Sequence, residues 1–207
     1  MTADRHLCVA PDHWIKGASR SLSPNHDARL SPDPSVLVVH SISLPPGVWG
    51  GDAILSLFSN TLDVEAHPAF ASLKNVRVSA HVVIRRNGAL IQCVPFDRRA
   101  WHAGRSQWQG IEGLNDCAIG IELEGLPTVR FALAQYYTLV NVTRALLDRY
   151  ATLAVNRIVG HALIAPLRKE DPGPAFDWRL FEQLLSFRSA SSSAQPIAHS
   201  ASLCTKR

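Results

Sequence analysis

The sequence predicts a single-domain α/β protein, with a central mixed β-sheet flanked by helices. Three observations carry that prediction. Val36-Leu37-Val38-Val39 is a continuous apolar run, the pattern of a strand buried on both faces. Residues 79–85 and 89–95 are β-rich and separated by Asn87-Gly88, the strongest short hairpin signal. Residues 131–150 repeat apolar side chains at helical spacing.

Composition narrows the class further. Of 207 residues 46% are hydrophobic and 18% charged, which is too apolar for a disordered chain. There is no apolar run of transmembrane length, so no membrane association is expected. The formal charge of +4 is mild, and Lys and Arg are scattered rather than striped among aromatics, so no nucleic-acid partner is expected. Apolar residues 7–10 fall short of a signal-peptide core of about 7–15 residues. The expected location is therefore cytoplasmic, with Cys8, Cys93, Cys117 and Cys204 reduced; none forms a C-x-x-C pair.

In chain order, residues 1–34 read as an irregular N-terminal arm, rich in Pro, Ser, Asp and His. The domain proper spans 35–188. After the first strand, Pro45-Pro46-Gly47 and Gly50-Gly51 mark a loop, and Asp52 is placed to cap a short helix through Phe58. Residues 96–116 lack a period and read as a long loop, and loops of that length are usually functional. Residues 117–124 return to strand, with Ile119, Ile121 and Leu123 on one face and Gly120, Glu122 and Glu124 on the other. The helix over 131–150 has Thr128 as its expected cap and a stripe that includes Leu133, Tyr137, Val140 and Leu147. Residues 157–160 form a short strand or turn before His161, and 166–174 are irregular. Asp177 caps a last helix through Phe187, and the Ser/Ala-rich residues 189–207 read as a flexible tail.

Nine His direct attention to metal or acid–base chemistry. His40 ends a buried strand, and His161 follows Ile158-Val159-Gly160, with Asp171 ten residues on. Two His and one Asp suffice for a catalytic zinc with an open fourth position. Spacing alone does not join His40 to His161, and a lone His at a strand end is as well read as a structural residue.

Motifs in the right order do join them. VVHSISLPPG (38–47), HPAF (67–70), RVSAH (77–81), VPFDRRAWHAGRS (94–106), IGIELEG (119–125) and GH…APLRKEDPGPAFDW (160–178) together resemble the AmpD family of N-acetylmuramoyl-L-alanine amidases. That family belongs to a zinc amidase superfamily with phage T7 lysozyme and the peptidoglycan-recognition proteins. The resemblance covers about two thirds of the chain. It implies a T7 lysozyme-like fold, Zn²⁺ at one edge of the sheet, and His40, His161 and Asp171 as its ligands. It further implies Glu122 as the acid–base carboxylate and Lys169 as an assisting cation. From the residues alone, Glu124 is an equal rival for the base and Lys169 a solvated loop charge. Arg77 matches a position that helps hold stem-peptide carboxylates, with a surface salt bridge as the alternative. Trp101 is suited to a sugar face or to core packing. His102 falls in the family's substrate-groove segment, and His81 reads as a structural or lining residue.

The implied reaction is hydrolysis of the amide between 1,6-anhydro-N-acetylmuramic acid and L-alanine during cytoplasmic peptidoglycan recycling, by a monomer whose partner is its muropeptide substrate. Two rivals are an exported amidase acting on polymeric peptidoglycan and a non-catalytic muropeptide sensor; the intact ligand set speaks against the second. The sequence departs from the family at three places: Ser41 stands where Asn is usual, Leu163 where Asp is common, and Gly113 near a position where an arginine is expected.

Overall fold

The computed structural model describes residues 7–31 and 33–187. The expected tail, 189–207, lies outside them.

Three parallel neighbours form the heart of the molecule. Strand β3 (Val36–Ile42) lies between β9 (Ala118–Glu124) and β10 (Ile158–Gly160), parallel to both. On the far side of β9 comes β4 (Val82–Ile84), then β5 (Leu90–Gln92), then β1 (Ser19–Arg20). The sheet order is β1-β5-β4-β9-β3-β10; β4–β5 is its one antiparallel pairing, so β5 and its parallel neighbour β1 run against the other four strands. The hairpin β4–β5 turns at Asn87-Gly88 as expected, with Asn87 Oδ1 accepting from Ala89 N.

Every residue of β9 and the first five of β3 are buried, because both faces of the sheet are covered. Leu37, Val39, Ile119, Ile121 and Leu123 face α2 (Leu133–Arg149) and α4 (Trp178–Ser186). Val36, Val38 and Ala118 face the opposite way, onto Ala103, Leu114 and Ile164. Strand alternation therefore puts His40 and Glu122 on the face away from α2, next to this smaller core. The short helices α1 (Ala53–Phe58) and α3 (His161–Ile164) complete the domain; Asp52 occupies the cap position of α1 but makes no side-chain capping bond. Asp177 does cap α4, accepting from Leu180 N.

The structure corrects several expectations. Residues 7–31 are not simply an irregular arm. They carry β1 and β2 (His26–Ala28), bury Ile15 in the main core, and pair β2 with β6 (Arg98–Ala100). The arm is fastened by polar groups: Ile15 N donates to Gln92 Oε1, and the Arg29 guanidinium donates to the carbonyls of Phe96, Asn115, Asp116 and Ala118. Strands of two or three residues leave no readable alternation. For the same reason 96–116 is more than a loop: it holds β6, the ribbon β7 (Gln107–Trp108) and β8 (Ile111–Glu112), and a 3-10 turn at Leu114–Asp116.

Helix α2 exists where expected, but its cap and phase differ. Thr128 is not the cap. Ala132 N instead donates to Gln135 Oε1, while Gln135 Nε2 donates to the carbonyls of Ile84 and Glu124. One buried amide thus closes the helix start and ties it to the sheet. The core face is Tyr136, Leu139, Val140, Val142 and Leu146, while Leu133 (52% exposed) and Tyr137 (48%) face out. Burying a large apolar side chain is worth about 1.5–3 kcal/mol. The register that buries Leu139 and Leu146 wins, although two apolar residues remain outside.

Candidate metal centre

The carboxyl ends of parallel strands gather the chemistry, as is usual for α/β sheets. In the ladders, His40 is the register partner of Glu122, and Gly160 that of Val39, so His161 follows one step further beside His40. Asp171 reaches the same point on a returning loop. Ala162 N donates to Asp171 O at 2.8 Å, and Pro172 lies so close to Gly160 that a Cβ there would stand 2.8 Å from Pro172 Cδ. Glycine at 160 is what lets the Asp171 loop press against the strand end.

Three ligand atoms converge. His40 Nδ1 lies 2.9 Å from His161 Nδ1 and 3.1 Å from Asp171 Oδ2, and His161 Nδ1 lies 3.0 Å from Asp171 Oδ2. Donors around a tetrahedral zinc stand about 3.3 Å apart, so this triangle is close to that size. Protons support the fit. His161 Nε2 is 3.2 Å from the carbonyl of Ala103, which only accepts, so Nε2 carries the proton and Nδ1 presents a lone pair. Burial, partly opposed by Asp171, lowers His40 to about 4, so its ring is neutral at neutral pH, as a metal ligand must be. Burial pushes the Asp171 carboxyl up, but bonds from His161 and His40 outweigh it and hold the group well below the usual carboxylate range. Two imidazoles and one ionised carboxylate facing one point suit a divalent cation. They are a group of metal-holding geometry among the described residues.

Glu122 faces this cluster from β9. Burial, with the charge of Asp171, raises its carboxyl well above the usual value, and Lys169 acts in the opposite sense. Its Oε2 is buried and has no protein partner among the described residues. Glu124 is different. Its Oε1 accepts from Gly50 N and Arg85 Nη1, and its Oε2 accepts from Arg86 N. Those bonds commit Glu124 to holding the loop after β3 and the hairpin, and leave Glu122 as the carboxylate free to exchange a proton.

The other sequence candidates fall differently. Lys169 is exposed on the loop before Asp171. Arg77 is exposed, and its guanidinium donates to Val76 O; no bond among the described residues joins it to the cluster. Trp101 is half-buried, with its backbone paired to Ser79 in both directions. His102, expected in the substrate groove, lies instead behind the cluster: its Nδ1 is 3.0 Å from His40 Nε2. Burial, with His40 and His81 beside it, holds His102 well below its usual value, so it is neutral. His81 is structural: fully buried, with Nδ1 accepting from Gly120 N and Nε2 against the carbonyl of Arg98.

Of the three departures, Ser41 is on the opposite face of β3 from His40, and its hydroxyl has no protein partner among the described residues. Leu163 is 60% exposed on α3. Gly113 takes a left-handed conformation at φ 66 and begins the 3-10 turn. Nothing in the spacing pointed to His102, to the Ala103 carbonyl, or to Gly120; they meet the ligands only through the fold.

Comparison with known proteins follows the same lines. Residues 30–174 match the family model of N-acetylmuramoyl-L-alanine amidases. The chain is 56% identical over 174 residues to the Escherichia coli K12 1,6-anhydro-N-acetylmuramyl-L-alanine amidase AmpD, covering 84% of this chain and 94% of that one. It is 49% identical over 160 residues to the Haemophilus influenzae AmpD, covering 77% and 87%. A crystal structure of a selenomethionine AmpD derivative superposes with a TM-score of 0.82 at 52% identity, covering 84% of this chain and 98% of that one. A complex of the Escherichia coli amidase AmiD with the substrate anhydro-N-acetylmuramic acid-L-Ala-D-gamma-Glu-L-Lys superposes at 0.53 with 29% identity, covering 86% and 65%.

Proposed function

Because the chain belongs to the N-acetylmuramoyl-L-alanine amidase family, we propose that His40, His161 and Asp171 hold a zinc ion and that Glu122 moves the protons of the hydrolysis. The reaction is cleavage of the amide joining 1,6-anhydro-N-acetylmuramic acid to L-alanine, in peptidoglycan recycling. The muropeptide is the substrate. The observation that supports the site assignment most is the triangle of three ligand atoms within 3.1 Å, beside a buried carboxylate with an uncommitted oxygen.

Zinc, when bound there, supplies an acidified water and polarises the scissile carbonyl. The chain's own residues do the rest. Glu122 enters as carboxylate, takes a proton from the attacking water, and gives it to the departing L-alanine nitrogen. Its burial favours the protonated form it holds between those two transfers, while the positive charge of Lys169 favours the ionised form it needs at the start. In this reading the same Lys169 cation stabilises negative charge building on the carbonyl oxygen. Trp101 offers an apolar face to the sugar, and Arg77 a guanidinium to the stem-peptide carboxylates.

Among the described residues no helix is long and apolar enough to cross a membrane. A cytoplasmic location fits a soluble turnover fragment as substrate. Elemental analysis of the purified protein tests the metal assignment. A single zinc per chain is expected, lost in Asp171→Ala; full activity in metal-free protein would contradict it.

A further inference from the structure

Behind the three ligand atoms, the segment 101–105 crosses the site and touches both imidazoles from the far side. The Ala103 carbonyl receives His161 Nε2–H at 3.2 Å, and the His102 ring meets His40 Nε2 at 3.0 Å. The segment is fixed from four directions. Asn115 Oδ1 accepts from both His102 N (3.1 Å) and Ala103 N (2.7 Å). Trp101 N donates to Ser79 Oγ. Arg168 Nη2 donates to the carbonyls of Ala103 (2.6 Å) and Arg105 (2.7 Å), which ties the segment to the loop of Lys169 and Asp171. Gly120 of β9 forms the floor: a Cβ there would lie 2.4 Å from His102 Cγ.

We propose that His102 is a positioning residue for the metal centre, accepting the His40 Nε2–H on its Nδ1 and so holding His40 Nδ1 toward His161 and Asp171. This rests on the zinc reading above. The logic is tautomeric. A ligand nitrogen must be bare, so the other ring nitrogen carries the proton and needs an acceptor. His161 finds one in a backbone carbonyl. His40 has the Nδ1 of His102. His102 in turn carries its proton on Nε2, which is buried with no protein partner among the described residues. That arrangement uses one nitrogen of His102 and leaves the other idle, so the ring's contribution is directed at His40. The row continues to His81, whose ring packs edge-on to that of His102 with centroids 5.6 Å apart.

The test separates packing from hydrogen bonding. His102→Phe keeps the ring shape and removes the acceptor, whereas His102→Asn keeps an acceptor near the Nδ1 position. Zinc affinity is read by competition with a chromophoric chelator, and ligand geometry by the visible bands of the Co²⁺-loaded protein. Loss of such a supporting partner weakens metal binding by about ten- to a hundredfold. His102→Phe is expected to show that loss and altered Co²⁺ bands, with the metal-free melting temperature little changed and His102→Asn recovering most of the affinity. Equal weakening in Phe and Asn, or parental affinity in Phe, would overturn the proposal. Should His102→Phe fail to fold, ¹⁵N spectra of the zinc-loaded parent decide: protonated His40 Nε2 with bare His102 Nδ1 supports it, and the reverse overturns it. Absence of zinc binding by the parent would instead defeat the metal reading itself.

Discussion

His40 and Glu122 are register partners across the β3–β9 ladder, so one rung of the sheet carries both a proposed metal ligand and the carboxylate proposed to work beside it. Both residues sit in the buried stretches of their strands, and the ladder sets their separation, which is how a site keeps its geometry without relying on loops. Glu122→Gln keeps the shape but removes the base. It is expected to retain zinc while kcat falls by about 10²–10⁴-fold. Parallel zinc and rate measurements check this, and an active variant would remove Glu122 from the mechanism.

Glu124, two residues on, is expected to behave oppositely. It is buried, and its three bonds tie Arg85, Arg86 and Gly50 together. Breaking a buried pair costs about 3–5 kcal/mol, so Glu124→Ala should lower the unfolding midpoint markedly and leave zinc binding in place. Denaturant unfolding followed by zinc titration reads both. Loss of turnover without loss of stability would instead make Glu124 the proton carrier.

Gly120→Ala drives a methyl group into the His102 ring. Overpacking of this kind costs about 1–3 kcal/mol, and it displaces the partner of His40. The variant should be less stable and bind zinc more weakly. Calorimetric zinc titration and thermal melts check it; parental affinity would mean the ring position is immaterial.

Acid should destabilise the metal-free protein in a defined window. His40, His81 and His102 are all held below the ordinary value of 6.5, His40 to about 4, in each case first by burial. A depressed folded value means that the unfolded chain binds the proton more readily. Stability is therefore full above pH 6.5 and is lost as pH falls toward 4. Each group contributes up to about 1.4 kcal/mol per pH unit in that range. Melts of chelator-treated protein at pH 7.5, 6.0 and 5.0 should show a falling midpoint, and a flat profile would contradict neutral buried rings.

Much of this was readable in the residues. The run 36–39 announces a strand buried on both faces, and Asn87-Gly88 announces its hairpin, because those signals are local. The phase of α2 was not readable, since Leu133 and Tyr137 are as apolar as the residues that won burial. The strands of 7–31 and 96–116 were hidden by their brevity; Arg29 and Gln92 hold them through bonds to distant carbonyls and amides. In the site, the ligand set was visible only through family resemblance, because 121 residues separate His40 from His161. Glu122 over Glu124 was likewise implied only by that resemblance; the residues alone left the two equal until the bonds of Glu124 to Gly50, Arg85 and Arg86 were seen. The place of His102 needed the missing Cβ of Gly120, a fact about space rather than sequence.

The most direct measurement is cleavage of an anhydromuramoyl tripeptide by the purified protein, untreated, treated with chelator, and resupplied with zinc. Release of free tripeptide that stops with chelator and returns with zinc is the predicted result. No release from folded, zinc-loaded protein would contradict the account.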